Sequence, residues 1–183
     1  MSNPEIVAEN GQFKVELYLN VEGKTVELRP IGALNENSKL DLVFDRLSKL
    51  SEDIKEVVFD LQGVVSANSI GIRAWLFFIE KIEPRMSLRF EKASETFVDM
   101  AGIVPNIFGK RGKLVSFCVP YQCANCKRRT FEFFKPEDIK YEDGSPQAPE
   151  AHCKTCNSTL EFDQHPDEYF GFLKNFSGSK AKG

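Results

Sequence analysis

Two cysteine pairs constrain the folding of this chain more than any other feature of its sequence. Cys123-Ala-Asn-Cys126 and Cys153-Lys-Thr-Cys156 each place two thiols on one short turn, where both can reach a single metal ion. Four thiolates complete the closed tetrahedral shell that structural zinc prefers, so we predict one structural zinc ion. The same four thiolates also suit iron, and their spacing does not separate the two metals. A closed shell leaves no position for water or substrate, so we expect the ion to support folding and not catalysis.

Length, hydropathy and charge limit what the rest of the chain can be. Its 183 residues have room for one domain of about 120 residues and a small second lobe. No apolar run approaches the ~20 residues of a membrane span, and no apolar leader is visible, so we expect a cytoplasmic protein. Reduced thiols in that compartment favour a metal over disulfides. The net charge of −3 supplies no basic face, which argues against nucleic acid as a partner.

Hydrophobic periodicity predicts alternating strands and helices upstream of the cysteines. Strands that alternate with helices imply crossover connections on a mainly parallel sheet. The predicted fold class is therefore α/β, a layered domain with a mixed, mainly parallel sheet and flanking helices. The predicted strands are 13–19, 25–29, 56–61, 86–90 and 113–119, and the predicted helices are 40–50, 69–82 and 95–101.

The cysteines mark a second part of the chain after the layered domain. We predict an N-terminal segment over residues 1–11 and the layered domain over residues 12–119, with Pro120 at the boundary. Residues 120–176 are predicted to form a zinc-ribbon subdomain that ends in a helix from Pro166 to Leu173. Two short strands, 130–134 and 159–162, belong to it, and residues 177–183 are predicted to be a disordered tail.

Three segments of the layered domain resemble the STAS domain, which bacterial anti-sigma-factor antagonists share with the tails of sulfate transporters. Gly32-Ala-Leu-Asn-Glu resembles the Gly-x-Leu-Asp turn of that family, and the segment 57–65 resembles its central strand and the following turn. Ser66-Ala-Asn-Ser-Ile-Gly71 resembles the Asp-Ser-Ser-Gly motif at the start of its long helix. The resemblance covers residues 12–119 and implies a signalling protein that acts by protein–protein binding in a partner-switching pathway. The partner it implies is a serine kinase that is also an anti-sigma factor.

The same resemblance implies where the regulatory site lies. Ser69 occupies the position of the serine that such kinases phosphorylate, and Asn68, Ser69, Ile70, Gly71 and Arg73 are the implied partner-binding residues. A phosphate at a helix N-terminus gains hydrogen bonds and a favourable dipole. The chain departs from the motif, since Asn68 replaces its Asp and Ile70 its second Ser. Two interpretations stay open, a phosphorylation switch and a simple helix cap formed by Asn68 or Ser69.

No catalytic constellation accompanies these motifs in the sequence. The chain has two histidines, His152 and His165, and no glycine-rich phosphate loop. We therefore expect a regulatory binding protein and not an enzyme. One alternative is a non-phosphorylated scaffold component of a larger assembly. The other is a nucleic-acid-binding ribbon, which the basic residues 127–129 beside Cys126 favour and the acidic total opposes.

Overall fold

A mixed α/β architecture with a mainly parallel central sheet and flanking helices is seen in the computed structural model, which describes residues 3–176. The predicted fold class is confirmed at this level. The strands of the large sheet are β1 (Glu5–Glu9), β2 (Phe13–Asn20), β3 (Thr25–Leu34), β4 (Glu56–Asp60), β5 (Val64–Ala67), β6 (Ser87–Glu91) and β7 (Lys113–Leu114). The helices that connect them are α1 (Leu40–Ser48), α2 (Ser69–Ile82) and α3 (Glu95–Ile103).

The order of strands in the large sheet is β1-β2-β3-β4-β6-β7. The hairpin pairs β1–β2 and β2–β3 are antiparallel, and the pairs joined through helices are parallel. Strand β3 is long enough to pair with β4 along residues 25–28 and with β5 along residues 32–34. The start of α2 directly follows β5, so the sheet fixes the position of this helix end beside Leu34.

Aromatic side chains fill the core beneath α2. Trp75 and Phe90 are buried and both contact Phe59, whose ring lies 5.3 Å from that of Trp75 and 5.0 Å from that of Phe90. The Trp75 indole donates a buried hydrogen bond of 2.8 Å to the carbonyl oxygen of Ile107. This bond satisfies the polar atom that an indole brings into an apolar core. Trp75, the aromatic residue that α2 contributes to this cluster, is therefore structural.

A second, three-stranded sheet carries the cysteines. Its strands are β8 (Phe117–Cys123), β9 (Arg129–Phe134) and β12 (Leu160–Phe162), in the antiparallel order β12-β8-β9. A hairpin of β10 (Lys140–Glu142) and β11 (Ser145–Gln147) lies between β9 and β12 in sequence. Helix α4 (Pro166–Tyr169) and a 3₁₀ turn over Gly171–Asn175 complete the described part of this lobe.

The two sheets share one continuous hydrophobic core. Strand β8 begins with a parallel bridge between Phe117 and Ala93, and the Cys118 N–H donates to the Ala93 carbonyl at 2.8 Å. The hydroxyl of buried Tyr169 donates to the Cys118 carbonyl at 2.7 Å. The guanidinium of Arg129 also forms ion pairs with Glu95 of α3 and with Asp163. Since exposed ion pairs contribute little, the buried contacts are the main attachment of the cysteine lobe.

The predicted single strand over 113–119 is wrong. Two residues pair with β6 as β7, the chain then changes sheets at Val115 and Ser116, and β8 begins at Phe117. The predicted boundary at Pro120 lies inside β8. The predicted N-terminal segment contains β1, which pairs with β2, and the turn-rich segment around Asp143 forms the β10–β11 hairpin.

Two further sequence expectations concern the ends of the chain and the membrane. The predicted disordered tail, residues 177–183, lies outside the described residues. Of the helices in residues 3–176, none has the length and apolar character needed to cross a membrane.

Candidate functional site

The first cysteine pair lies on the turn that joins β8 to β9. The Lys127 N–H donates to the Cys123 carbonyl at 2.9 Å, and the Cys123 N–H donates to the Arg128 carbonyl at 2.9 Å. Lys127 adopts a left-handed conformation with φ of 56°, which reverses the chain directly after Cys126. Both sulfurs of the pair are thereby held on the same side of the turn.

The second cysteine pair repeats this turn. The Asn157 N–H donates to the Cys153 carbonyl at 2.7 Å, and the Cys153 N–H donates to the Ser158 carbonyl at 2.8 Å. Asn157 has φ of 58° and takes the place that Lys127 has in the first turn. Asparagine tolerates this conformation better than most residues, so the sequence suits the turn.

Pairing of β12 with β8 brings the two turns together, because Leu160 lies opposite Cys123. The sulfurs of Cys123 and Cys156 are 3.5 Å apart, those of Cys126 and Cys153 are 3.6 Å apart, and all four lie within 4.8 Å of one another. Four sulfurs at ~2.3 Å from a zinc ion would be separated by ~3.8 Å. The four cysteines predicted as ligands are close enough together to hold a metal ion.

Hydrogen bonds around the cluster favour thiolates at the second pair. The side chain and main chain of Ser158 lower the pKa of Cys156 to about 6, and main-chain groups of Thr155 and Cys156 lower the pKa of Cys153. The Arg128 main chain lowers the pKa of Cys126, but hydrogen bonds with Cys123 and Cys153 and burial outweigh it, and the pKa is about 11. Metal ligation requires deprotonated thiols, so a metal that binds here displaces the proton of Cys126.

The fifth cysteine is separate from this cluster. Cys118 is buried in β8, and burial raises the pKa of its thiol to about 12. It packs as a small apolar residue. His152 forms a β-bridge with Thr159 and is not among the residues of the cysteine cluster.

The start of α2 is capped by Asn68. Its Oδ1 accepts a hydrogen bond from the Gly71 N–H at 2.8 Å, and its Nδ2 donates to the Glu36 carboxylate at 2.8 Å. The hydrogen bond from Asn68 lowers the pKa of Glu36, so a negative charge lies beside the cap. Asn68 is therefore the N-cap residue, and Ser69 is the first residue of the helix.

Four of the five residues implied as partner-binding are on the surface. Asn68, Ser69 and Arg73 are exposed, and Ile70 is 57% exposed. Gly71 is buried, and a Cβ atom built on it would lie 2.2 Å from the Leu34 carbonyl oxygen. Gly71 thus allows α2 to approach β3 closely and offers no side chain to a partner.

An apolar strip and a groove adjoin this helix start, and the sequence analysis did not predict either. Val65 on β5 is 73% exposed, and Phe77, two turns after Ile70, is 58% exposed. A groove of about 300 Å³ runs between α1 and α2. Its lining includes Phe44 and Phe77, and the Lys81 ammonium lies 5.3 Å from the Phe44 ring centroid. The seven-residue spacing of Ile70 and Phe77, which places both on one face of the helix, could have indicated the strip. Apolar residues at helical spacing usually belong to the hydrophobic core, so the spacing alone does not identify an exposed strip.

Comparisons with known proteins place the chain in no family. No family model matches the sequence, and no curated protein matches it. One solved structure, described as "Crystal Structure Analysis of Mglu", is similar to part of this chain at 21% identity and a TM-score of 0.35. The similarity covers 40% of this chain and 18% of that one. So weak and partial a likeness carries no argument about fold or function, and the STAS resemblance stays a proposal.

Proposed function

We propose that this chain is a regulatory protein that binds other proteins through the start of α2, as anti-sigma-factor antagonists do. The observation that carries the proposal is the exposed hydroxyl of Ser69 at the first position of a 14-residue helix. Exposed apolar side chains of Val65 and Ile70 on either side of it supply contact area for a protein surface. In this proposal the chain catalyses no reaction, and its partner is a serine kinase that also acts as an anti-sigma factor.

Phosphorylation of Ser69 would change this surface through charge. A phosphate at the first helical residue lies where unpaired main-chain N–H groups and the helix dipole favour an anion. Arg73, one turn further along the exposed side, adds a positive charge. Glu36, already hydrogen-bonded to Asn68, adds a negative charge that opposes the phosphate. A partner that docks on the neutral surface would therefore meet two close negative charges after phosphorylation.

A scaffold function is the second candidate, and the Asn68 hydrogen bonds favour it. Asn68 already caps α2 and binds Glu36, so the helix start is satisfied without a phosphate. In this candidate the same surface makes constant contacts inside a larger assembly, and Ser69 is never modified.

For the cysteine cluster we propose a single structural zinc ion. Two equivalent turns aim four thiols at one point, as the zinc-ribbon class does, and a shell closed by four thiolates takes no part in chemistry. The role of the ion is then to hold the second sheet together.

Replacing Ser69 by Asp tests the switch. We expect Ser69→Asp to reduce the partner recovered by affinity capture from native cell extract about tenfold or more, which corresponds to ~1.4 kcal/mol or more of binding free energy. Thermal melting followed by circular dichroism should be unchanged, because the substituted side chain is exposed. Ser51→Asp is the matched control, since Ser51 is also an exposed serine and lies outside the α2 surface.

Equal partner recovery by wild type and Ser69→Asp would contradict the switch. If mass spectrometry of the protein from intact cells also finds no phosphate on Ser69, the scaffold function is the better description. Loss of capture in Ser51→Asp as well would indicate a general charge effect and would also count against the α2 surface.

A further inference from the structure

In the described residues, the β1–β7 path of the large sheet and the three-stranded sheet end in four edge strands, and three of these four are protected against pairing with another strand. Strand β1 carries a register shift between Ile6 and Ala8 and two charged ends, one of which, Glu5, binds Arg46. Strand β7 has two residues and β12 has three. Short strands, bulges and charged residues are the usual means by which proteins prevent edge-to-edge association.

Strand β9 is the exception. It has six residues, pairs with β8 in an unbroken register, and contains neither Pro nor Lys. Phe131 and Phe133 lie on one face of it and are 42% and 39% exposed. The strand ends its sheet, so its outer edge has no strand partner within residues 3–176. A regular, partly apolar edge of this length is a template for another strand.

The hydrogen bonds of β8 show which main-chain groups of β9 are available. Cys118 donates to Ala93 and Pro120 accepts from Asp163, so even-numbered residues of β8 point away from β9. The odd-numbered residues of β8 therefore bond to β9, and they lie opposite its even-numbered residues. The groups left facing the free edge are the N–H and C=O of the odd-numbered residues of β9, which are Arg129, Phe131 and Phe133.

We propose that β9 pairs antiparallel with β9 of a second copy of this chain, about a twofold axis at Phe131. In this register Phe131 lies opposite its own counterpart, and Arg129 lies opposite Phe133 of the second copy. Each of these opposed pairs exchanges two hydrogen bonds, because all of their free groups face the shared edge. The two small sheets then form one continuous sheet.

Charge selects this register over its neighbours. It places Thr130 opposite Glu132 and Arg129 opposite Phe133 of the second copy. Arg129 already lies 4.9 Å from the Phe131 ring centroid and is neutralised by Glu95 and Asp163, so the two arginines do not repel strongly. A shift of two residues would oppose Glu132 to its own counterpart, and like charges directly opposite each other destabilise a strand pair. The ion pair of Glu132 with the exposed Lys154 offsets little of this repulsion. A shift of two residues in the other direction leaves Phe133 opposite no residue of β9 in the second copy.

The test is sedimentation velocity of the full-length, zinc-loaded chain over a range of concentrations. We expect a species of twice the 20.7 kDa chain mass. Phe131→Pro removes an N–H that the β8–β9 pair does not use and that the proposed dimer does use. It should raise the dimer dissociation constant about 30-fold or more, where each tenfold corresponds to ~1.4 kcal/mol of association free energy. Phe131→Lys should do the same by adding a charge at the twofold axis. Val21→Lys, which changes an exposed apolar residue of the β2–β3 turn, should leave the dimer unchanged.

Residue-resolved amide exchange makes the test independent of whether a variant folds well. In the wild-type dimer the amides of Arg129, Phe131 and Phe133 should be protected. In monomeric Phe131→Lys only the even-numbered amides of β9 should remain protected, which also shows that the β8–β9 pair is intact. A wild-type chain that stays monomeric at about 100 μM, where a weak dimer would form, overturns the proposal. So does a dimer in which Phe131→Pro has no effect. The proposal does not depend on the function proposed for α2.

Discussion

Removal of the proposed zinc ion is expected to unfold the second sheet of this protein. A structural zinc bound by four thiolates contributes on the order of 10 kcal/mol to folding a small module. Strand β12 has three residues, and its pairing with β8 starts at Cys123, beside the first cysteine turn. Without the ion, weak thiol hydrogen bonds replace the metal bonds between four sulfurs that lie within 4.8 Å of one another. The turns and β12 should lose their structure, and β8 should keep the part that packs on Ala93.

Cys153→Ser is the substitution that checks this expectation. Elemental analysis should find one zinc per chain in the wild type and a large loss in the variant, with a matching loss of amide protection at residues 123–128 and 153–162. Cys118→Ala is the control, because Cys118 is buried outside the cluster; it should keep the full metal content and cost about 1 kcal/mol of stability. An unchanged melting temperature in Cys153→Ser would contradict a structural metal. Iron in place of zinc would contradict only the identity of the ion.

The cysteine cluster could be predicted from the sequence because its information is local. Each pair specifies one turn with two thiols, and a structural zinc ion takes four ligands, so the convergence of the pairs follows without knowledge of the fold. The helix α2 was also predictable, since its apolar spacing extends over four turns. Its bounds, Ser69–Ile82, agree with the prediction.

The change of sheets between β7 and β8 was not predictable in the same way. Residues 113–119 alternate like one strand, and only the distant bridge from Ala93 to Phe117 draws the second half into another sheet. Pro120 was a misleading boundary for a related reason. Its nitrogen faces away from β9, so the missing N–H costs no ladder bond, and β8 continues through it. The sequence analysis did not predict strand β5. Its residues Val65 and Ser66 are exposed, so they show no alternation of buried and exposed positions, and pairing with β3 holds them in the sheet.

Gly71→Ala is expected to destabilise the protein by at least ~2 kcal/mol, because an inserted methyl group that meets main chain cannot be relieved by a rotamer change. The new Cβ would lie 2.2 Å from the Leu34 carbonyl oxygen and 2.7 Å from the Asn35 nitrogen. For a chain of this length each kcal/mol lowers the melting temperature by about 2–4 °C. Gly102→Ala in α3 is the matched control, since nothing lies within 4 Å of its new Cβ. It should be neutral or stabilise the protein by up to ~1 kcal/mol, as Gly→Ala does inside a helix.

The same pair of variants separates packing from recognition at the proposed docking site. A loss of partner capture in Gly71→Ala would follow from a displaced α2, because the glycine is buried and presents no atom beyond its main chain to a partner. Ser69→Asp should lose capture with its melting temperature unchanged, and only that combination assigns the effect to the surface. If Gly71→Ala were as stable as the wild type, the start of α2 could not lie against Leu34. The exposed position of Ser69, on which the regulatory proposal depends, would then be wrong.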